Sequence, residues 1–285
     1  MSIPELLKYI ILGIIQGITE VLPISSSGHV AIAQELFSLQ SDQGMLFLIL
    51  VNIGSLLAVI YHFRRKVGAL LSGFLRYIFR PSSREQTSDD FHYCLKIVVA
   101  SIPLGIIGLT LNNIIKVQYA SHALLMVGVG LLVTATCLYL VKDASAVNGR
   151  QYITYKDALY IGIGQMFAVM PGLSRSGITT STALGRKMSM ETALVFSFMM
   201  YIPASIGSSI KYIWDITQDP GMLGFDPASF SQYLYYFLAL VASAFATLFS
   251  LKFIFRLFRR GRLVVFSIYT FVLGMIALIT GVLAV

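Results

Sequence analysis

Charge is what this chain has least of. Asp, Glu, Lys and Arg make up 12% of its 285 residues, against roughly 25% in a soluble domain. Apolar residues make up 56%, so there is too little charge to coat a water-soluble globule of this size. Cysteine is almost absent. Cys94 and Cys137 stand alone in apolar runs, which excludes a disulfide framework and a cysteine metal site and leaves them as small core residues. Acidic residues number 13 against 21 basic ones, for a formal charge of +8. That excess falls in the connections between apolar runs and not in any nucleic-acid motif, so no nucleic-acid partner is expected. A cleavable leader is not expected either. Glu5 and Lys8 precede an apolar run that leads into polar residues without a small-residue cleavage site.

What the chain does have is long apolar stretches. Crossing a bilayer takes about 20 mostly apolar residues, and six stretches qualify: residues 45–61, 95–111, 124–141, 193–213, 233–255 and 263–285. Basic residues follow the first (Arg64, Arg65, Lys66, Arg76, Arg80, Arg84), the third (Lys142, Arg150, Lys156) and the fifth (Arg256, Arg259, Arg260, Arg262). The intervening connections are poor in positive charge. Residues 112–121 hold only Lys116, and residues 214–232 hold Asp215, Asp219 and Asp226 with no Lys or Arg. Placing the basic connections in the cytoplasm predicts six spans with both termini outside.

Two segments remain, residues 4–39 and 157–188. Each is a pair of short apolar pieces broken by Pro, Ser and Gly, and neither piece is long enough to span. They read as re-entrant hairpins whose irregular backbone is surrounded by protein or a wet cavity. The hairpins also resemble each other. Gly13-Ile-Ile-Gln16 matches Gly162-Ile-Gly-Gln165, and Ile24-Ser-Ser-Ser-Gly28 matches Leu173-Ser-Arg-Ser-Gly177, both at an offset of 149 residues. Pro23 and Pro171 miss that offset by one. The predicted fold is therefore an all-α integral membrane protein, with six transmembrane helices plus two re-entrant helical hairpins in an inverted repeat. One membrane domain covers 1–285. Its first repeat is 1–141 (hairpin 4–39 plus three spans) and its second is 157–285 (hairpin 157–188 plus three spans). Paired interrupted segments of this kind point to a binding site near the bilayer midplane.

The first break reads QGITEVLPISSSGH. Gln16 and Glu20, four apart, share a helix face. A carboxylate inside a membrane segment costs at least about 2.5 kcal/mol and so faces a partner or a wet cavity. Pro23 ends the helix. Ser25, Ser26 and Ser27 at the next helix start offer hydroxyls and free backbone N–H groups, suited to a phosphate or simply to a cap. His29 lies three residues past Ser26, within reach as base to a serine nucleophile or as nucleophile itself. The second break reads PGLSRSGITTST. Arg175, deep in an apolar region, calls for a planar anion, either a phosphate or the Glu20 carboxylate. Ser174, Ser176 and Thr179 add hydroxyls. Brought together, the two breaks supply the parts of phosphoryl transfer: a carboxylate for metal, a nucleophile with a base, and a guanidinium for developing charge.

At these residues the chain resembles the undecaprenyl-diphosphate phosphatase family, also called the bacitracin-resistance phosphatases. The likeness rests on Gln16 and Glu20 (Gln/Glu-x-x-x-Glu), on the Ser-Ser-x-Gly-His element ending at His29, and on Pro171, Gly172, Ser174, Arg175, Ser176 and Thr179. The run beginning at Asn52 looks like a further family element that usually begins with Gln. The resemblance implies hydrolysis of undecaprenyl diphosphate to the monophosphate, recycling the lipid carrier of bacterial cell-wall synthesis. It also implies a divalent cation, Mg²⁺ or Ca²⁺, held by Glu20 and Gln16. Ser26 and His29 are the implied nucleophile and base, in either order, and Ser25, Ser27, Ser174, Ser176 and Thr179 join Arg175 on the phosphate. The implied setting is the bacterial plasma (inner) membrane, with the site facing the periplasm or cell exterior. Many members carry Glu where this chain has Gln16, which predicts weaker metal binding here, an amide oxygen lacking charge. Phosphatidic-acid phosphatases share a Ser-Gly-His followed by Ser-Arg, but need a second His soon after that Arg, and residues 178–188 contain none. The rival reading is a polyprenyl-phosphate transporter or flippase, which needs Arg175 but has no use for both Ser26 and His29. A homodimer is compatible with the helix faces, though nothing in them compels it.

Overall fold

The computed structural model describes residues 4–37, 45–110, 112–144, 149–219, 229–258 and 263–283. Residues 38–39 of the expected first hairpin, together with Asp226, Arg259, Arg260 and Arg262, lie outside that set. The described residues form eleven α-helices: α1 (Glu5–Val21), α2 (Ser26–Leu36), α3 (Met45–His62), α4 (Arg64–Phe79), α5 (Arg84–Thr110), α6 (Asn112–Leu140, bent at His122), α7 (Tyr155–Met166), α8 (Arg175–Gly185), α9 (Met190–Gln218), α10 (Phe230–Phe258) and α11 (Leu263–Leu283). The chain is an all-α integral membrane protein. Five helices are long and apolar enough to cross a bilayer: α5, α6 from His122, α9, α10 and α11. The sixth expected span is α3. Its 18 residues reach roughly 27 Å at about 1.5 Å per residue, slightly under the roughly 30 Å hydrocarbon core. It then bends by 78° into α4.

α1, α2, α7 and α8 have 17, 11, 12 and 11 residues, all below the length of a span. Each pair closes on itself. Lys8 near the start of α1 donates to the Phe37 carbonyl at the end of α2 (2.8 Å). Asp157 in the first turn of α7 pairs with Arg186 at the end of α8 (2.9 Å). The hairpins open at opposite ends of the bundle. Tyr9 packs on Phe47 and Tyr236, at the starts of α3 and α10. Tyr155 meets His92 and Lys96 near the start of α5, beyond the far end of α3.

Close backbone approach sets both hairpins into the bundle. A Cβ on Gly13 would strike the Ala239 backbone of α10, and a Cβ on Gly162 would strike the Ala100 backbone of α5. α10 in turn packs on α3, and α5 on α9. With no hydrophobic drive between helices in lipid, small residues and interhelical hydroxyls carry the association. Ser243 of α10 donates to the Val51 carbonyl of α3 (2.7 Å), and Thr247 donates to the Gly17 carbonyl of α1 (3.1 Å) and to Ser55 (3.0 Å).

The second hairpin is also anchored by charge. Asp157 is fully buried and closes a capping box with Thr154. It accepts from both terminal nitrogens of Arg150 and from Arg186. Burial raises its pKa, but the hydrogen bonds from Arg150, Thr154 and Arg186 outweigh this and hold the carboxyl well below its usual range. A depressed pKa gives stability that is complete above about pH 4 and lost as pH falls further. Asp157→Asn is therefore expected to destabilise the folded protein by about 2 kcal/mol at neutral pH, less than a fully buried pair because both arginines are partly exposed. A thermal melt in detergent, repeated below pH 4, should show the gap between variant and wild type closing in acid.

Candidate active site

The tips of the two hairpins meet, and their polar residues converge on Glu20. Arg175, the first residue of α8, donates to Glu20 Oε1. Ser26, the first residue of α2, donates to Glu20 Oε2 (2.5 Å), as does Gln16 Nε2 from one turn back (2.8 Å). Glu20 is 7% exposed and Arg175 23%. Because a charge at this depth is costly unpaired, the ion pair is the arrangement expected of two such groups. Behind it, Tyr201 of α9 places its ring under the guanidinium, 4.1 Å from ring centroid to Cζ. The Tyr201 hydroxyl donates to the Asn52 side-chain oxygen (3.2 Å). The cavity beside the pair is lined by Glu20, Val21, Arg175, Ser176, Ser197, Phe198 and Tyr201, with a volume of about 10 Å³, room for roughly one water.

The two helix starts are built alike. Ser25 Oγ accepts from Gly28 N (3.3 Å) and Ser174 Oγ accepts from Gly177 N (3.1 Å). The neighbouring hydroxyls pair as Ser25 with Ser27 (3.2 Å) and Ser174 with Ser176 (3.3 Å). Their turns differ. In the first break Ser25 itself takes φ 69°, whereas in the second Gly172 turns the chain at φ 84°, two positions earlier in the common register. The one-residue slip of Pro23 against Pro171 accompanies this change.

The expected site residues thus divide by position. Gln16, Glu20, Ser26 and Arg175 form one hydrogen-bonded cluster, with Ser176 on the cavity wall, its hydroxyl donating to the Leu22 carbonyl across the two tips (3.0 Å). Ser25 and Ser174 are buried caps. Ser27 is exposed and accepts from Gly172 N (3.4 Å). Thr179 is fully buried behind the cavity, on the Arg175 carbonyl (2.8 Å) and Ser197 (2.6 Å). His29 stands apart from Ser26 in hydrogen bonding. Its Nδ1 meets the Ser25 carbonyl (2.7 Å), its Nε2 meets the Tyr269 hydroxyl (2.8 Å), and its ring stacks on Tyr269. A carbonyl only accepts, so Nδ1 carries the proton, and a neutral ring leaves Nε2 to accept from Tyr269. In this arrangement the hydrogen-bond partner of Ser26 is Glu20.

Sequence reasoning missed Tyr201, Ser197 and Tyr269. They lie in unbroken apolar helices, where an aromatic or a serine gives no signal of its own. Asn52 was picked out by its resemblance alone, and its contact with Tyr201 is what ties α3 to the site.

A cation site is testable against the donors present. Among the described residues no three His, Cys, Asp or Glu side chains gather. Glu20 and the Gln16 amide offer oxygen donors only, a small set that suits a hard cation completing its coordination with water and substrate phosphate.

Comparison with known proteins agrees with an all-α membrane protein. The family model described as "Bacitracin resistance protein BacA" matches residues 9–276. The chain is 38% identical to "Undecaprenyl-diphosphatase 1" of Bacillus licheniformis over 98% of its own length and 99% of that protein's. It is 35% identical to "Undecaprenyl-diphosphatase" of Oceanobacillus iheyensis, over 96% of each chain. This is a multi-pass membrane protein built around a buried acid–arginine cluster. It belongs to the BacA bacitracin-resistance family.

Gly172 holds the turn that leads into α8. Its left-handed backbone disfavours a side chain by about 1–2 kcal/mol, and an added Cβ would also strike the Val127 backbone of α6. Gly172→Ala is expected to lower the melting temperature and to misplace Arg175. The reference is Gly185→Ala, where an added Cβ meets nothing within 4 Å and little change is expected.

Proposed function

We propose that the chain is an undecaprenyl-diphosphate phosphatase, hydrolysing the diphosphate lipid to undecaprenyl phosphate and inorganic phosphate. It thereby recycles the lipid carrier for bacterial cell-wall synthesis and confers bacitracin resistance. The observation that carries the chemistry is the convergence of Ser26 and Arg175 on Glu20. Glu20 is positioned to take the Ser26 proton as its Oγ forms a bond to the terminal phosphorus. The bond from that phosphorus to the bridging oxygen breaks, and undecaprenyl phosphate leaves. Water then releases phosphate from Ser26. Arg175, once exchanged from Glu20 to the substrate, neutralises charge on the terminal phosphate. Glu20 and Gln16 are also the residues to hold a divalent cation, Mg²⁺ or Ca²⁺, which would shield the diphosphate charge. In this scheme Ser176 is the hydroxyl that reaches the phosphate, and Ser25, Ser174 and Thr179 position the helix starts. His29 acts from the Tyr269 side as a proton carrier.

The reading also takes the chain as two inverted repeats, 1–141 and 157–285. Gly13 and Gly162 making equivalent close approaches, to α10 and α5, support it. The protein belongs in the bacterial plasma (inner) membrane with its site reached from the outer face. The cluster of Arg and Lys where α3 ends and α5 begins supports a cytoplasmic assignment for that end.

The test is phosphate release from undecaprenyl diphosphate by the purified protein, with and without chelator. Ser26→Ala, Glu20→Gln and Arg175→Ala are each expected to lower kcat by at least about a hundredfold. No release by folded wild type supplied with Mg²⁺ or Ca²⁺ would remove the phosphatase reading in favour of lipid transport. Tyr201 separates support of Arg175 from simple packing. Loss of a desolvated cation–π contact, about 2 kcal/mol, predicts a fall of roughly thirtyfold in kcat/KM for Tyr201→Leu. Tyr201→Phe keeps the ring under the guanidinium and should retain most activity.

A further inference from the structure

We propose that α4 is a headgroup-level anchor whose basic edge binds anionic phospholipid at the end of the bundle where α3 stops. Around its axis, at about 100° per residue, α4 presents three sectors. The first packs on α5: Leu70 and Gly73 are buried, and Phe74 and Tyr77 stack on Phe91 with centroids 5.4 and 4.0 Å apart. The second holds Leu71, Leu75, Ile78 and Phe79, which are 58, 52, 42 and 75% exposed. They recur at the spacing of one helix face, and nothing among the described residues covers them. The third sector carries Arg65 and Arg76, with Arg80 just past the end of the helix, all exposed. Among the described residues these three arginines make no ion pair. Of the nearby acids, Asp90 lies against Gly73 in the α5-facing sector, and Glu85 and Asp89 sit exposed on α5 without pairing to α4.

Two further observations set the level of this helix. It leaves α3 at 78°, so it turns off the direction of that span. It is also bracketed by tyrosines bearing cations: Lys66 over Tyr93 (4.7 Å) and Arg84 over Tyr77 (5.7 Å), with Lys96 over Tyr155 (5.5 Å) beside them. Tyrosine with Lys or Arg marks the membrane–water boundary. A helix at that boundary, with one apolar and one basic sector free, is matched to both parts of an anionic lipid. The acyl chain covers the apolar sector and the phosphate meets the guanidiniums. A soluble anion would leave the apolar sector in water, and a second copy of the chain would bury three unpaired arginines or leave them unused.

The test uses the full chain with phosphatidylglycerol as the anionic probe and phosphatidylcholine as the neutral one. Native mass spectrometry from an equimolar mixture should show preferential retention of phosphatidylglycerol by wild type. Combined Arg65→Gln, Arg76→Gln and Arg80→Gln should weaken that preference by at least about tenfold, given roughly fivefold per basic residue at an anionic surface. Unchanged phosphate release in detergent would show that the triple variant is folded. Separately, Leu75→Trp in a Trp214→Phe background should be quenched in vesicles by phosphatidylglycerol brominated on its acyl chain. An unchanged lipid preference would overturn the proposal. So would a water-exposed, unquenched Trp at position 75, or a dimer that Leu75→Lys dissolves.

Discussion

The contact between Arg175 and Glu20 is the constraint on which the rest depends. Either charge alone at membrane depth would be strongly unfavourable, and each arrives on a different hairpin. The pair forms only if the tips of both hairpins reach the same depth and face each other. Everything that places those tips serves this condition: the glycine approaches of α1 to α10 and α7 to α5, the Asp157 clamp, and the left-handed turns at Ser25 and Gly172. Those turns are tolerated because the surroundings over-determine them, as strained backbone at reactive centres generally requires.

The two hairpins share a scaffold and divide the chemistry between them. At the common offset of 149, Ser26 corresponds to Arg175, Glu20 to Val169 and His29 to Ile178. The position is the same in both, the first residue of the second short helix, where helix geometry leaves backbone N–H groups without a partner within the helix. One half places a hydroxyl there and the other a guanidinium. Gln16 and Gln165 show what the asymmetry does. Gln16 bonds to Glu20, whereas the amide of Gln165, fully buried, has no hydrogen-bond partner among the described residues at either end. Its half lacks the carboxylate that would answer it.

The sequence carried the class, the broken segments and the cluster because each violates the bilayer's rules. Pro23, the serine run, Glu20 and Arg175 are conspicuous in an apolar chain for physical reasons. What stayed hidden obeys those rules. Tyr201 and Ser197 are unremarkable in a membrane helix, and only the packing of α9 against the tips gives them a role. The Ser26–His29 pairing drawn from spacing shows the other limit. Residues three apart on a helix start lie close, yet the His29 ring turns to Tyr269 on α11, 240 residues away, and Ser26 turns to Glu20 across the break. Sequence spacing constrains the backbone, while the choice among hydrogen-bond partners belongs to tertiary packing. The 78° bend after α3 was equally silent, since an uninterrupted run from apolar to basic residues reads as a span followed by a loop.

The closed state of the site bears on how a diphosphate would reach it. A cavity of about 10 Å³ beside the ion pair has room for roughly one water, far less than a terminal phosphate. Substrate must therefore take over contacts that are now internal. The phosphate brings more negative charge than the Glu20 carboxylate and matches the guanidinium with two oxygens, so it competes well for Arg175. In the proposed exchange Tyr201 would hold the guanidinium from behind, because its ring contact uses none of the donors that would pass from carboxylate to phosphate. In the proposed mechanism Glu20, released from Arg175, keeps its hydrogen bond from Ser26. On that proposal, substrate binding and activation of the hydroxyl would be one event: the anion that draws the arginine away would free Glu20 for Ser26.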